Sequence, residues 1–177
     1  MDALTELSHA DQQWTGEILF LPTPTGRSAM IARMREYWRT KSIDGKLPRR
    51  RDIDPLDLRE VLPYLSIVEF SAVPLRVKFR LIGSELARFY GREVAGKWLD
   101  EIDDWDDEDI ADTMAVYRRV HDLGIPVYGL SLCLWEDKPD HVFEFGCFPL
   151  SDDGRNLTHC LGVDDYTMIA PRGRRAL

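Results

Sequence analysis

The sequence predicts an α+β domain built on five β-strands, and three observations carry that prediction. Residues 127–166 run as apolar stretches separated by short polar turns, the pattern of an antiparallel meander. The stretch Arg76 to Asp100, RVKFRLIGSELARFYGREVAGKWLD, joins a strand to a short helix and carries two glycine stops. Helical periodicity recurs on either side of it, over about 28–41 and 107–123.

Taken in order, Met1 to Gln13 form a loosely held lead-in, and Trp14 with Glu17 to Leu21 is an extra strand or a packing arm. After Pro22, Pro24 and Gly26, a helix is expected from about Ser28 to Lys41, with Met30, Ile31, Met34, Tyr37 and Trp38 as its apolar stripe. It docks on the core or serves as a dimerisation helix. Lys46, Arg49, Arg50 and Arg51 give the strongest local positive charge, either a solvated run paired with acids such as Asp52 or an anion or partner site. Asp54 and Pro55 then suit the start of a short helix carrying Leu56, Leu58, Val61 and Leu62, closed by Pro63. Tyr64 to Phe70 is the first sheet strand, and Pro74 turns the chain.

In the central stretch, Val77, Phe79 and Leu81 alternate with Lys78 and Arg80, the period of a strand with one buried face. Ser84 is a candidate N-cap, Leu86, Phe89 and Tyr90 fall at helical spacing, and Gly91 and Gly96 mark bends. From Asp100 to Asp109 eight of ten residues are acidic. A calcium loop fails there, because Asp109 stands where glycine is required and Ala115 where the bidentate glutamate belongs. The acids suit the positive start of a helix from about Asp107 to Leu123 instead.

The meander comprises Val127 to Trp135, His141 to Leu150 and Leu157 to Tyr166, with polar turns over Glu136 to Asp140 and Ser151 to Asn156. A two-residue turn at Asp153-Gly154 would pair Asp152 with Arg155, Leu150 with Leu157, Phe148 with His159 and Cys147 with Cys160. One face then carries Phe148, Leu150, Leu157, Leu161 and Val163, the other Phe143, Phe145, Cys147 and Cys160. Both are apolar, so both must be covered. Helices crossing the sheet cover one; the N-terminal segment, a second subunit or both cover the other. A homodimer is expected on this ground. Cys147 and Cys160 are either two small buried hydrophobes or, if opposite, a redox-active pair.

Composition narrows the function classes. A net charge of −8 and a pI near 5.0 disfavour nucleic-acid binding by the chain as a whole. No apolar run approaches the roughly 20 residues of a membrane helix, no signal peptide is evident, and three cysteines do not make a disulfide framework. A cytoplasmic protein is expected. No catalytic or metal-binding motif survives its geometry, so no catalytic residue and no metal ligand is assigned.

The strand, short helix and G-x-x-x-x-G of the central stretch resemble the PAS domain, in particular the single-domain PAS-like proteins of proteobacteria. LPRRRDIDPLDLREVLPYLSIVEF (Leu47 to Phe70) and FPLSDDGR (Phe148 to Arg155) are similar to that subgroup's entry segment and last hairpin. The resemblance implies a PAS-like antiparallel five-stranded sheet with helices on one face, plus an N-terminal helical extension. The expected organisation is an extension over 1–27, the PAS-like domain over 28–166 and a tail over 167–177. It also implies a ligand site between sheet and helices, for which the lining residues are Phe79, Leu81, Leu86, Phe89, Tyr90, Trp98, Met114, Tyr117 and His121, with Arg80 as an anion partner if it turns inward. Those rings either line a cavity or fill it. No cofactor is required; His121 is the histidine placed to hold haem, against the plainer role of a core histidine. The expected function is a stand-alone, dimeric sensory or regulatory module in signal transduction that binds a small apolar or aromatic ligand, a signalling protein partner, or both. The alternatives are a small cavity enzyme using Tyr90, His121 or Asp100 in acid–base roles, and a ligand-free adaptor acting through Arg49 to Arg51.

Overall fold

The computed structural model describes residues 14–15, 18–91, 94–103, 105–132 and 141–171. Its strands are β1 (Trp14–Thr15), β2 (Ile18–Leu21), β3 (Leu65–Ala72), β4 (Leu75–Ile82), β5 (Val127–Leu132), β6 (His141–Ser151) and β7 (Leu157–Pro171). Its helices are α1 (Ala29–Lys41), α2 (Ser84–Tyr90) and α3 (Asp107–Leu123). The strands make one antiparallel sheet in the order β1-β2-β5-β6-β7-β3-β4. The five strands expected from sequence are β3 to β7, and β2 extends the sheet by pairing with β5. Residues 18–21 of the expected extension are therefore part of the sheet, and β7 runs past Tyr166 to Pro171. The lead-in 1–13 and the turn 136–140 lie outside the described residues.

Helices α2 and α3 lie on one face. They meet Val68, Val77, Phe79, Phe143, Phe145, Cys147 and Cys160 in one core cluster. The other face, Phe148, Leu150, Leu161 and Val163, packs on Ile31 and Met34 of α1 and on Leu58 and Val61. Ile31 and Met34 are fully buried, and burying each such side chain stabilises by about 1.5–3 kcal/mol. The face for which the N-terminal segment, a second subunit or both are the expected cover is thus closed by α1 and by Leu58 and Val61 of the same chain.

Two buried acids fasten α1 there. Asp165 accepts a 2.5 Å hydrogen bond from Ser28 Oγ, and that same oxygen caps the helix by accepting from the Ile31 amide. Glu144 accepts from the Thr25 amide at 2.7 Å and the Thr25 hydroxyl at 2.6 Å. Trp38 Nε1 donates to the Pro149 carbonyl, so α1 is a core-docking helix.

Several local expectations change. Residues 55–61 form successive turns rather than a regular helix, because prolines at 55 and 63 leave too little chain between them; Leu58 and Val61 still bury at a spacing of three. Gly83, not Ser84, is the N-cap of α2. A Cβ at Gly83 would stand 2.3 Å from the Leu62 carbonyl oxygen, so the close crossing of these two segments dictates the glycine. The final hairpin is also longer than the two-residue turn. Ser151 Oγ accepts from the Asp153 and Gly154 amides, and the Asp153 carboxylate accepts from the Arg155 and Asn156 amides. This side-chain scaffold stabilises a five-residue loop. The register becomes Leu150 with His159, Phe148 with Leu161 and Cys147 with Gly162. Cys147 and Cys160 share a face but are not opposite, and both are free and buried. An irregularity between Leu150 and Ser151 also moves Leu157 to the face of α2 and α3.

Candidate functional site

A cavity of about 100 Å³ lies between the sheet and the helices α2 and α3. Alternation along β6 puts Phe143, Phe145 and Cys147 in its floor. Phe145 stands opposite Gly129 on β5, where a Cβ would meet its ring at 2.4 Å; glycine lets the ring lie across the sheet. The end of α2 supplies Phe89 and Tyr90, α3 supplies Tyr117, and the segment before α3 supplies Trp105. Tyr90 and Trp105 meet edge to face at 5.4 Å, and Phe89 stacks on Tyr166 of β7 at 3.7 Å. Asp109, Asp112 and Thr113 of α3, with Ser131 and Leu132 of β5, also line it. Asp106 caps α3 by accepting from the Glu108 and Asp109 amides, which sets that acidic first turn beside the cavity.

The polar centre is Asp164. Asp164 is half-buried at the cavity wall, and its carboxylate accepts long hydrogen bonds from the hydroxyls of Tyr90 (3.4 Å) and Tyr166 (3.3 Å). Burial pushes its pKa up to about 6, against the lowering effect of the two phenols. Burial likewise holds the Tyr90, Tyr117 and Tyr166 hydroxyls well above their ordinary range, so all three stay neutral donors. Cys147, in the wall, is also raised well above a normal thiol, first by its hydrogen bond with Cys160 and then by burial, which leaves it a poor nucleophile.

Of the nine residues chosen from sequence, Phe89, Tyr90 and Tyr117 line the cavity. Phe79 and Leu86 are fully buried behind it, Phe79 meeting both Trp105 and Tyr117 edge to face. The other four lie elsewhere. Leu81 is 38% exposed, because the β3–β4 register shifts at Ile67/Val68, stepping over Arg80. Trp98 is on the outside of β4 between Arg76 (4.3 Å) and Lys78 (5.2 Å). Met114 faces a groove beside Phe20, Arg118 and Arg119. His121 packs edge to face on Phe70 at 5.7 Å and is not placed to ligate a group in the cavity. Arg80 points outward and pairs with Glu69. Asp100 pairs with Arg76 outside the cavity, and Arg49 pairs with Asp52 at 3.0 Å.

Sequence reasoning missed Asp164, Tyr166, Trp105, Phe143 and Phe145 as lining residues. One signal was available: Asp164 and Asp165 are adjacent acids in a strand whose two faces are both apolar, so each must be buried against a partner or open to a cavity.

An antiparallel sheet with α2 and α3 on one face and α1 on the other, and an aromatic cavity between the sheet and α2 and α3, defines an α+β domain of the sensory type. The chain belongs to the PAS domain family, whose sequence profile matches residues 26–163. None of the curated proteins is significantly similar to it in sequence. Among solved structures, that of an RNA-binding Light-Oxygen-Voltage receptor aligns with 91% of this chain at 15% identity and a TM-score of 0.40. The chain spans 41% of that receptor's length. No helix among the described residues is long and apolar enough to cross a membrane.

Proposed function

We propose that this chain is a sensory or regulatory module whose cavity takes a small ligand and whose occupancy is read by a signalling protein. The observation that carries the reading is the cavity itself: its walls come from α2, α3 and four strands, and the Asp164 carboxylate gives a guest a preferred orientation. A ligand bound only by the folded state adds stability in proportion to ln(1 + [L]/Kd) and tightens the packing of α2 and α3 on the sheet. That change is what a partner would sense. A second copy of the chain belongs to this proposal only through surfaces other than the sheet faces, both of which are covered within one chain.

Fragment titration followed by side-chain NMR tests the reading. Bound fragments should shift Trp105, Tyr117 and Phe143, and Thr113→Trp, which fills the cavity mouth, should abolish those shifts. If no fragment perturbs these residues and the purified protein carries no small molecule by native mass spectrometry, the ligand-binding reading fails.

The Asp164–Tyr90–Tyr166 cluster also favours a second reading, in which Asp164 acts as a base and Tyr90 as an acid on a bound substrate. It predicts turnover of a bound fragment that Asp164→Asn abolishes while binding persists; fragments recovered unchanged would argue against it.

A further inference from the structure

The cavity combines aromatic walls, the half-buried Asp164 carboxylate and a second lining acid, Asp109. We propose that its ligand class is the small organic ammonium ions, protonated or methylated amines, seated against Trp105 and the tyrosines with Asp164 as counter-ion. This deepens the ligand-binding reading above and rests on it.

The argument starts from the walls. Phe89, Tyr90, Trp105, Tyr117, Phe143 and Tyr166 line the space; Phe89 stacks on Tyr166 and Phe143 tilts against it, whereas Tyr90 and Trp105 meet edge to face rather than stacking. The faces of aromatic rings attract a cation within about 6 Å, most strongly when water is excluded. An anionic guest would meet the aromatic rings and the Asp164 and Asp109 carboxylates with the wrong sign. A neutral apolar guest would desolvate the Asp164 carboxylate and supply it neither a donor nor a countercharge beyond the two long phenol hydrogen bonds found among the described residues. An ammonium group satisfies both features at once. The volume sets the size: an apolar cavity of about 150 Å³ takes benzene, so about 100 Å³ suits a compact headgroup, with any longer substituent leaving past Thr113 and Ser131.

Asp164 must be ionised to act as counter-ion. The titratable groups facing it are Tyr90 on α2, Tyr117 on α3, Cys147 on β6 and Tyr166 on its own strand, all raised and neutral near pH 7. Asp109 and Asp112 on α3 are the acids that share the cavity wall. Affinity for a permanently charged cation should therefore rise about tenfold from pH 5 to pH 7, following ionisation of Asp164 around 6.

Two probes of similar size decide it on the full chain: tetramethylammonium chloride and neutral tert-butanol, titrated at matched ionic strength with the Trp105 and Tyr117 resonances as readout. The expected result is saturable tetramethylammonium binding that strengthens with pH and falls about tenfold or more in Asp164→Asn, with tert-butanol weaker and insensitive to pH. Trp105→Leu should weaken the cation several-fold and supplies the variant test if Asp164→Asn does not fold. If tert-butanol binds as well as the cation, or cation binding ignores both pH and the variants, the amine inference is overturned while the ligand-binding reading stands. Binding of neither probe overturns the inference too, and the fragment titration then decides the broader reading separately.

Discussion

At the scale of the residue, Asp164 is a carboxyl group shifted by its surroundings, and the shift can be read in stability. Its folded pKa lies above its ordinary value, so the folded state holds the proton more tightly than the unfolded chain. The favourable contribution is therefore present at low pH and is lost as pH rises from about 4 through about 6, where the carboxyl must ionise inside the fold. Asp164→Asn removes that ionisation. Relative to wild type, the variant should gain on the order of 1–3 kcal/mol between pH 4 and pH 7.5, measured by urea unfolding at both pH values. A difference that stays flat across this range would show that Asp164 is fully solvated. Gly83 makes a second residue-scale prediction, because a methyl there meets backbone rather than a movable side chain. Gly83→Ala should cost about 1–3 kcal/mol by the same assay, and an unchanged midpoint would contradict the tight crossing. Of these residues, Gly83 was legible as a break but not as a contact, since the carbonyls it touches come from a segment some twenty residues away.

At the scale of the element, most spans were legible and most side-chain directions were not, for one physical reason. The strand at 77–81, the helix ended by Gly91, the helix from Asp107 and the one capped by Ser28 follow from periodicity and terminal residues, which are local properties. Which face a strand residue occupies depends on the whole ladder. One irregularity opposite Ile67/Val68 puts Leu81 outside, and another at Leu150/Ser151 sends Leu157 to the opposite face; a single inserted residue reverses everything beyond it. Helix α1 shows the energetic side of the same point. Its stripe announced an apolar partner but not which one, and the partner proves to be the second face of its own sheet. The lock is Ser28 with Asp165. Ser28→Ala should lose both the cap and that bond, about 1–2 kcal/mol. In a double-mutant cycle with Asp165→Asn the two losses should be sub-additive, whereas simple additivity would show that the 2.5 Å contact contributes nothing of its own.

At the scale of the whole molecule, one sheet carries two jobs on two faces. Toward α2 and α3 it leaves a cavity, and toward α1 it packs on Ile31, Met34, Leu58 and Val61. That division was half legible: two apolar faces on strands 141–151 and 157–171 required two covers, but periodicity cannot say whether a cover comes from the same chain. The structure assigns it to α1, and the assignment has a consequence for oligomeric state. A variant beginning at residue 46 would lack α1 and β2 and would bare Phe148, Leu150, Leu161 and Val163, each at most 1% exposed in the intact fold. Losing the burial of Ile31 and Met34 alone costs about 4–10 kcal/mol at 2–5 kcal/mol for each deleted side chain, as much as the 5–15 kcal/mol that holds a typical domain together. The bared face has to find another cover or the domain does not persist. Light scattering on a size-exclusion column should thus show dimers or larger species for the truncated chain, with strong binding of an apolar dye. A folded, monomeric truncation that leaves the dye dark would mean that α1 rests on the sheet without holding it, and that some other segment closes this face.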